Sequence, residues 1–154
     1  MTRNQGFTLV EILIVVIILG ILAAIVIPQF SSASNDARLS ALANDLQTLR
    51  SQLEVYKIQH LDHYPNVQSA DSGVTWAAST ANFVARMTGK TDKYGQTSGT
   101  TFGPYMQNFS TNAFNGLKTV RVDGAAAGAG TDGWRFDSAT SRLAPDDNAT
   151  HAAM

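Results

Sequence analysis

The stretch "GFTLVEILIVVIILGILAAIVIPQF", Gly6 to Phe30, decides how this chain is to be read. From Ile12 to Ile27 it holds no charged or strongly polar side chain. With its flanks, residues 7–30, it would extend roughly 36 Å as an α-helix, enough to cross the hydrocarbon core of a bilayer. A secretory signal peptide is the main competitor, but its apolar region is usually shorter and a small-x-small cleavage site should follow, for which "AAIVIPQF" is a poor match. The one basic side chain ahead of the segment, Arg3, joins the starting amine in favouring a cytoplasmic N-terminus, with everything beyond Phe30 on the far side of the membrane.

Glu11 breaks the apolar pattern. A carboxylate at the centre of a membrane helix costs on the order of 2.5–3.5 kcal/mol, less near an end, and such groups tend to face protein and find a partner. After Arg3 no cation lies within helical reach. Either Glu11 stays hydrated at headgroup depth, or its counter-charge comes from another molecule. Cleavage between Gly6 and Phe7 would create one, because the new α-amino group would stand about one helical turn from Glu11 and carry a positive charge near neutral pH. Between neighbouring helices such a pair would also fix axial register, since an unpaired buried charge costs several kcal/mol. Gly20 and Pro28 interrupt the run; both residues are common in membrane helices, but Pro28 also removes a backbone hydrogen bond and crowds the preceding turn, so a kink or local unwinding is expected there.

Outward from Phe30, Leu39, Leu42, Leu46, Leu49, Leu53 and Tyr56 recur at spacings of three and four, an amphipathic helical stripe with Asp36, Arg38, Asp45, Arg50, Glu54 and Lys57 mostly off it. The stripe is short for a coiled-coil seam and is expected to pack on its own domain. Tyr64-Pro65 should close the helix. The two halves together predict one helix of about 55 residues, roughly 80 Å long. Val74 to Thr88 predicts a second helix with Ala77, Ala81, Val84 and Met87 on one side and Gly89 just past its end in the left-handed C′ position. Residues 90–116, rich in Gly, Thr, Ser and Asn, carry Tyr94, Phe102, Tyr105, Phe109 and Phe114, a loop pinned by aromatics. "LKTVRVD", "GWRFD" and "SRLAP" alternate as short strands, with "GAAAGAGTDG" as the turn region. The tail "APDDNATHAAM" reads as acidic, small and mobile. The expected architecture is α+β, the long N-terminal helix packed on a small antiparallel sheet.

The remaining composition excludes much. A chain of 154 residues holds one domain plus appendages. A net charge of −1, with Lys and Arg scattered, supplies no field for nucleic acid. The absence of cysteine removes disulfides, thiolate metal sites and cysteine nucleophiles. His60 and His63 lie three apart with Asp62 between, two ligands at most, and a histidine near a helix C-terminus is favoured by the dipole alone. "TGKT", Thr88 to Thr91, lacks the first glycine of a phosphate loop, whose place Val84 takes. Asn108-Phe-Ser110 and Asn148-Ala-Thr150 are glycosylation-type triplets of a kind common by chance. No nucleophile motif is present, and no catalysis is expected.

"GFTLVE" followed by about twenty apolar residues resembles the class III signal of type IV pilins and type II secretion pseudopilins. The resemblance implies a leader at 1–6, cleavage between Gly6 and Phe7 by a prepilin peptidase, N-methylation of Phe7, a transmembrane and assembly helix at 7–30, and a pilin-like head at 31–154 that includes an amphipathic half-helix at 31–63. It also implies that Glu11 engages the N-terminal amine of a neighbouring copy, and that the helix bends or melts near Pro28 in the filament. The head is similar to the major pseudopilin: "YP" ends the long helix, "FGPYMQNFSTNAFNG" looks like the family's GPYL-to-NPFNG segment with Ser110 and Ala113 where prolines are common, and "GWRFDSATSRL" looks like its terminal hairpin. That family carries calcium in its C-terminal loops; Asp123, Asp132, Asp137, Asp146 and Asp147 could supply hard oxygen ligands, although Asp-Gly and Asp-Asp pairs are also ordinary turn formers. The implied role is that of a pseudopilus subunit in the bacterial inner membrane, its head periplasmic. Its partners would be further copies of itself, the prepilin peptidase, an inner-membrane assembly platform and minor pilins or pseudopilins. The alternatives are a surface type IV pilus, with the head extracellular, and a membrane-anchored binding module that does not polymerise. Lack of cysteine tilts towards the pseudopilus, because many surface pilins carry a C-terminal disulfide; exposed Trp76, Tyr94 or Phe102 would favour the binding module.

Overall fold

Aliphatic residues and few breakers sustain one helix through most of the first sixty positions. The computed structural model describes residues 6–66 and 79–154. Most of the leader, residues 1–5, and the start of the expected second helix, residues 74–78 with Trp76 and Ala77, lie outside the described residues. Two compact units are present, the first ending at Arg38 and the second covering Leu39–Met154. Helix α1, Leu9–Gln59, begins in the first and ends in the second. Its helical backbone continues through Gly20 and Pro28, so neither residue terminates it.

The helix stops at Gln59, short of the Tyr64-Pro65 boundary and of the half-helix limit at residue 63. Leu61 and Asp62 take left-handed φ values of 55° and 67°, and the Asp62 N–H returns to the Lys57 carbonyl at 3.1 Å. His60 Nδ1 meets the Tyr56 carbonyl at 2.7 Å, satisfying one of the groups that a helix end leaves open. The pre-proline rule marks a residue that resists helix; it does not oblige the helix to reach it.

Leu42, Leu46, Leu49, Leu53 and Tyr56 are buried, while Leu39 stays 42 % exposed, so the packed stripe starts at Leu42. It shares one core with Phe83, Met87, Phe109, Val120, Trp134, Phe136 and Leu143. The stripe therefore packs on its own domain. Helix α2, Thr80–Thr88, is capped by the Ser79 hydroxyl, which accepts the Asn82 N–H at 3.2 Å. Its buried face is Phe83, Arg86 and Met87, with Val84 half-buried and Ala81 exposed, a rotation from the expected side. Gly89 ends α2 in extended rather than left-handed backbone; a Cβ there would stand 2.8 Å from the Ala85 carbonyl oxygen, so space rather than φ requires glycine.

The sheet holds three strands in the order β1-β2-β3: β1 is Val120–Val122, β2 Trp134–Asp137 and β3 Arg142–Pro145. It is mixed, which corrects the antiparallel expectation. β2 and β3 form the expected hairpin, with Phe136 opposite Leu143, but β1 runs parallel to β2, with Val120 opposite Trp134. The "DGAAAGAGTDG" segment is not a tight turn; residues 123–133 carry the chain back to the starting end of β1, as a parallel neighbour demands. Within residues 90–116, Phe109 is buried and Tyr105 and Phe114 pack against the core. The tail is folded, not mobile: Pro145 pairs opposite Trp134, Asp146 is fully buried, and Asn148 caps α3, Ala149–Ala152. Of its acids, Asp146 accepts backbone N–H groups and Asp147 the Asn112 and Asn148 side-chain amides, so both are internal acceptors.

Candidate functional site

Two places gather the residues that the sequence marked: the start of α1 and the loops beside β1 and β3.

At the first, Thr8 and Glu11 cap the helix reciprocally. Glu11 Oε2 accepts the Thr8 N–H at 2.8 Å and the Thr8 hydroxyl at 2.9 Å, while the Glu11 N–H reaches the Thr8 hydroxyl at 3.3 Å. This is the Thr-x-x-Glu capping box, and it suits an anion in the first turn of a helix. Reading Glu11 only as an unpaired charge missed Thr8; the signal was the three-residue spacing immediately ahead of the apolar run. Among the described residues no cation pairs with Glu11. Phe7 is 84 % exposed, and the aliphatic side chains from Leu9 to Ile27 are exposed in the isolated chain. α1 is also the one helix among the described residues long and apolar enough to cross a membrane. The arrangement is a greasy helix whose first turn presents Phe7 and a carboxylate already oriented by its own Thr8.

At the second, the five calcium candidates do not converge as a ligand set. Asp123 accepts the Ser138 N–H at 2.7 Å and its hydroxyl. Asp137 takes Arg135 Nη1 at 2.8 Å and the N–H groups of Ala139 and Thr140, and Arg135 with the Thr140 N–H holds its carboxyl at about 2. Asp147 serves the Asn112 and Asn148 amides and His151. Asp132 stands 3.4 Å from Arg121 Nε, and Asp146 2.8 Å from Arg121 Nη2. Burial raises the Asp146 carboxyl, but Arg121 and the Asp132 and Ala129 N–H groups outweigh it and hold it below the usual carboxylate range. Among the described residues, no group of three or more His, Asp or Glu is placed to hold a metal ion.

His60 and His63 do not form a ligand pair. His60 is buried, its ring stacked on Tyr56 at 3.7 Å between centroids, with Nδ1 on the Tyr56 carbonyl and Nε2 2.8 Å from the Thr91 hydroxyl. Burial, assisted by the Arg86 charge, lowers its pKa, while hydrogen bonding and Asp92 oppose the shift. Arg86, unmarked in the sequence, is buried and donates to the Pro65 carbonyl at 2.6 Å and the Gly95 carbonyl at 2.9 Å, tying the end of the α1 turn to the next loop. Thr91 of "TGKT" pairs with Phe102, and Asn148 spends its side chain on the α3 cap.

A family model described as the prokaryotic N-terminal methylation motif matches residues 1–27. Curated proteins named type II secretion system core protein G are similar to the chain. That of Pseudomonas aeruginosa is 43 % identical over 66 residues, 43 % of this chain and 46 % of that protein. That of Dickeya chrysanthemi is 38 % identical over 66 residues, covering 43 % and 42 %, and that of Klebsiella pneumoniae 34 % identical over 79 residues, covering 51 % and 56 %. The matches span about half the length of these relatives. No solved structure matches the chain. The motif and these relatives together support the pilin and pseudopilin family.

Proposed function

We propose that this chain is a structural subunit of a type II secretion pseudopilus, anchored in the bacterial inner membrane by α1 and polymerised through it. The observation that carries the reading is the first turn of α1, where a single carboxylate, Glu11, sits beside the Gly6–Phe7 junction at the head of a stretch, Leu9 to Ile27, that is otherwise apolar and exposed. A prepilin peptidase would cut after Gly6 on the cytoplasmic face, and the Phe7 amine, N-methylated, would become the cation that Glu11 lacks. In a fibre, aliphatic faces of α1 helices pack against one another by close van der Waals contact, and the amine–carboxylate pair sets their register because misregister strands a charge in an apolar core. Pro28 is where α1 would give way as copies bundle. The head would lie in the periplasm, and an inner-membrane platform and minor pseudopilins would complete the assembly. The role is structural rather than catalytic, in keeping with what the relatives are named for.

A surface type IV pilus uses the same chemistry and stays the second reading. Of the three aromatics that would favour the non-polymerising binding module, Tyr94 and Phe102 are half-buried, with Phe102 edge-on to His60, and Trp76 lies outside the described residues. Intact mass and N-terminal analysis of the protein made in a host with prepilin peptidase should give a chain beginning at N-methylated Phe7. Retention of "MTRNQG" in that host would end the proposal.

A further inference from the structure

The loop that carries β1 into β2 closes around a guanidinium. Arg121 Nη1 donates to the backbone carbonyls of Asp123 and Ala125, both at 2.7 Å, Nη2 to Asp146 Oδ1 at 2.8 Å, and Nε lies 3.4 Å from Asp132 Oδ2. Two backbone carbonyls and two carboxylates are the oxygen types that a hard divalent cation gathers from loops. Here they converge on an arginine of the strand itself. The Asp146 carboxylate, fully buried, has its remaining capacity filled by backbone and hydroxyl donors: Gly128 N–H at 3.0 Å and Ala129 N–H at 3.3 Å on Oδ1, Asp132 N–H at 3.1 Å and the Thr131 hydroxyl at 3.2 Å on Oδ2. Each backbone donor points its hydrogen at an oxygen that a metal would need bare, and the Thr131 hydroxyl stands 3.2 Å from both Asp146 Oδ2 and Asp132 Oδ2. A calcium ion seeks six to eight oxygens, and to enter it would have to displace the guanidinium and turn those N–H groups away. The residues present do not fit the calcium that the family resemblance implies.

We propose that Arg121 is the built-in cation of the head: it clamps the 123–133 loop onto Asp146 and makes the fold of residues 39–154 independent of calcium. The clamp rests on the head alone, so its failure would leave the assembly reading untouched, which stands or falls on processing at Gly6–Phe7.

The test is thermal melting of the full-length protein in detergent, in EDTA and in about 10 mM calcium. The melting temperature is expected to be the same in both. A loop site of the affinity usual for extracellular calcium modules would raise it on the order of 5–10 °C at that concentration. A rise of that size overturns the proposal. Arg121→Gln removes the charge and the fork, and is expected to melt below the parent in both buffers and to speed hydrogen exchange at the Gly128, Ala129 and Asp132 amides. A variant that melts with the parent and keeps those amides protected overturns the clamp. Should Arg121→Gln fail to fold, the calcium comparison on the unaltered protein still decides.

Discussion

The first turn of α1 and the loop around Asp146 treat a carboxylate in opposite ways: Asp146 is buried within the fold, while Glu11 is exposed at the head of an apolar run and would leave bulk water only in the proposed assembly. Asp146 has everything it needs inside its own chain: a guanidinium, three backbone N–H groups and a hydroxyl. Among the described residues Glu11 has only Thr8, two neutral donors on one oxygen, and the aliphatic side chains around it are exposed. A neutral cap satisfies hydrogen-bonding geometry and leaves the charge uncompensated. The buried Asp146 carboxylate of the second unit is satisfied within its own fold and the Glu11 carboxylate of the first is not, and a first unit unfinished in both packing and charge is what the proposed polymer subunit requires.

The widest break in that contrast would come from Glu11→Val. The proposal expects the variant to insert in the membrane, since the substitution makes α1 more apolar although it also removes the acceptor of the Thr8 cap, and to keep the melting temperature of its head, yet to yield essentially no fibres when assembly is followed by electron microscopy or by crosslinking between copies. Normal fibres would show that register does not depend on this charge.

Trp134→Ala strikes the other unit. Trp134 is fully buried at the β1–β2–β3 junction, and its indole N–H donates to the Ser110 carbonyl at 2.7 Å. Truncation should cost about 3–5 kcal/mol, lowering the melting temperature of the head by roughly 10–20 °C while membrane insertion, read by carbonate extraction, is unchanged. Equal loss of insertion would mean that the two units are not independent.

A gentler lever is pH. His60 is buried neutral, its Nδ1–H on the Tyr56 carbonyl and its Nε2 accepting from Thr91, with Arg86 disfavouring and Asp92 favouring a proton. Its folded pKa is lowered, so the unfolded chain binds the proton first. Stability is fully present above about pH 6.5, falls as pH drops through that value, and levels off once the folded form also titrates. Melting temperatures between about pH 7 and 5 should show this loss, and His60→Gln should flatten it. An unchanged slope in the variant would assign the acid sensitivity to other groups.

How much of this was legible depended on whether a feature repeats along the chain. The apolar run, the Leu39 to Tyr56 stripe and the β2–β3 hairpin repeat at fixed periods, and each is where the sequence puts it except that Leu39 stays exposed. The parallel pairing of β1 was not, because a three-residue strand carries no direction and the decision lies in the path of residues 123–133. Arg86 and Asp146 look like surface charges in one dimension; only folding shows the carbonyls and N–H groups that receive them. The tail was misread for the same reason. Thr8 is legible in the sequence, since its three-residue spacing from Glu11 is a local rule.

Thr8→Val is the smallest change and the sharpest on the anchor. It keeps the shape and the backbone N–H bond to Glu11 and removes the hydroxyl that donates to Oε2 and accepts the Glu11 N–H. Loss of such a cap costs typically about 1 kcal/mol, which should appear as faster exchange of the first-turn amides of α1 in micelles. The carboxylate itself remains, and with one fewer internal donor it is the more available to an amine on a neighbouring copy. Fibres should therefore persist in Thr8→Val where they vanish in Glu11→Val. If both substitutions abolish assembly alike, the cap rather than the charge is what the fibre requires, and pairing between copies is not what holds α1 in register.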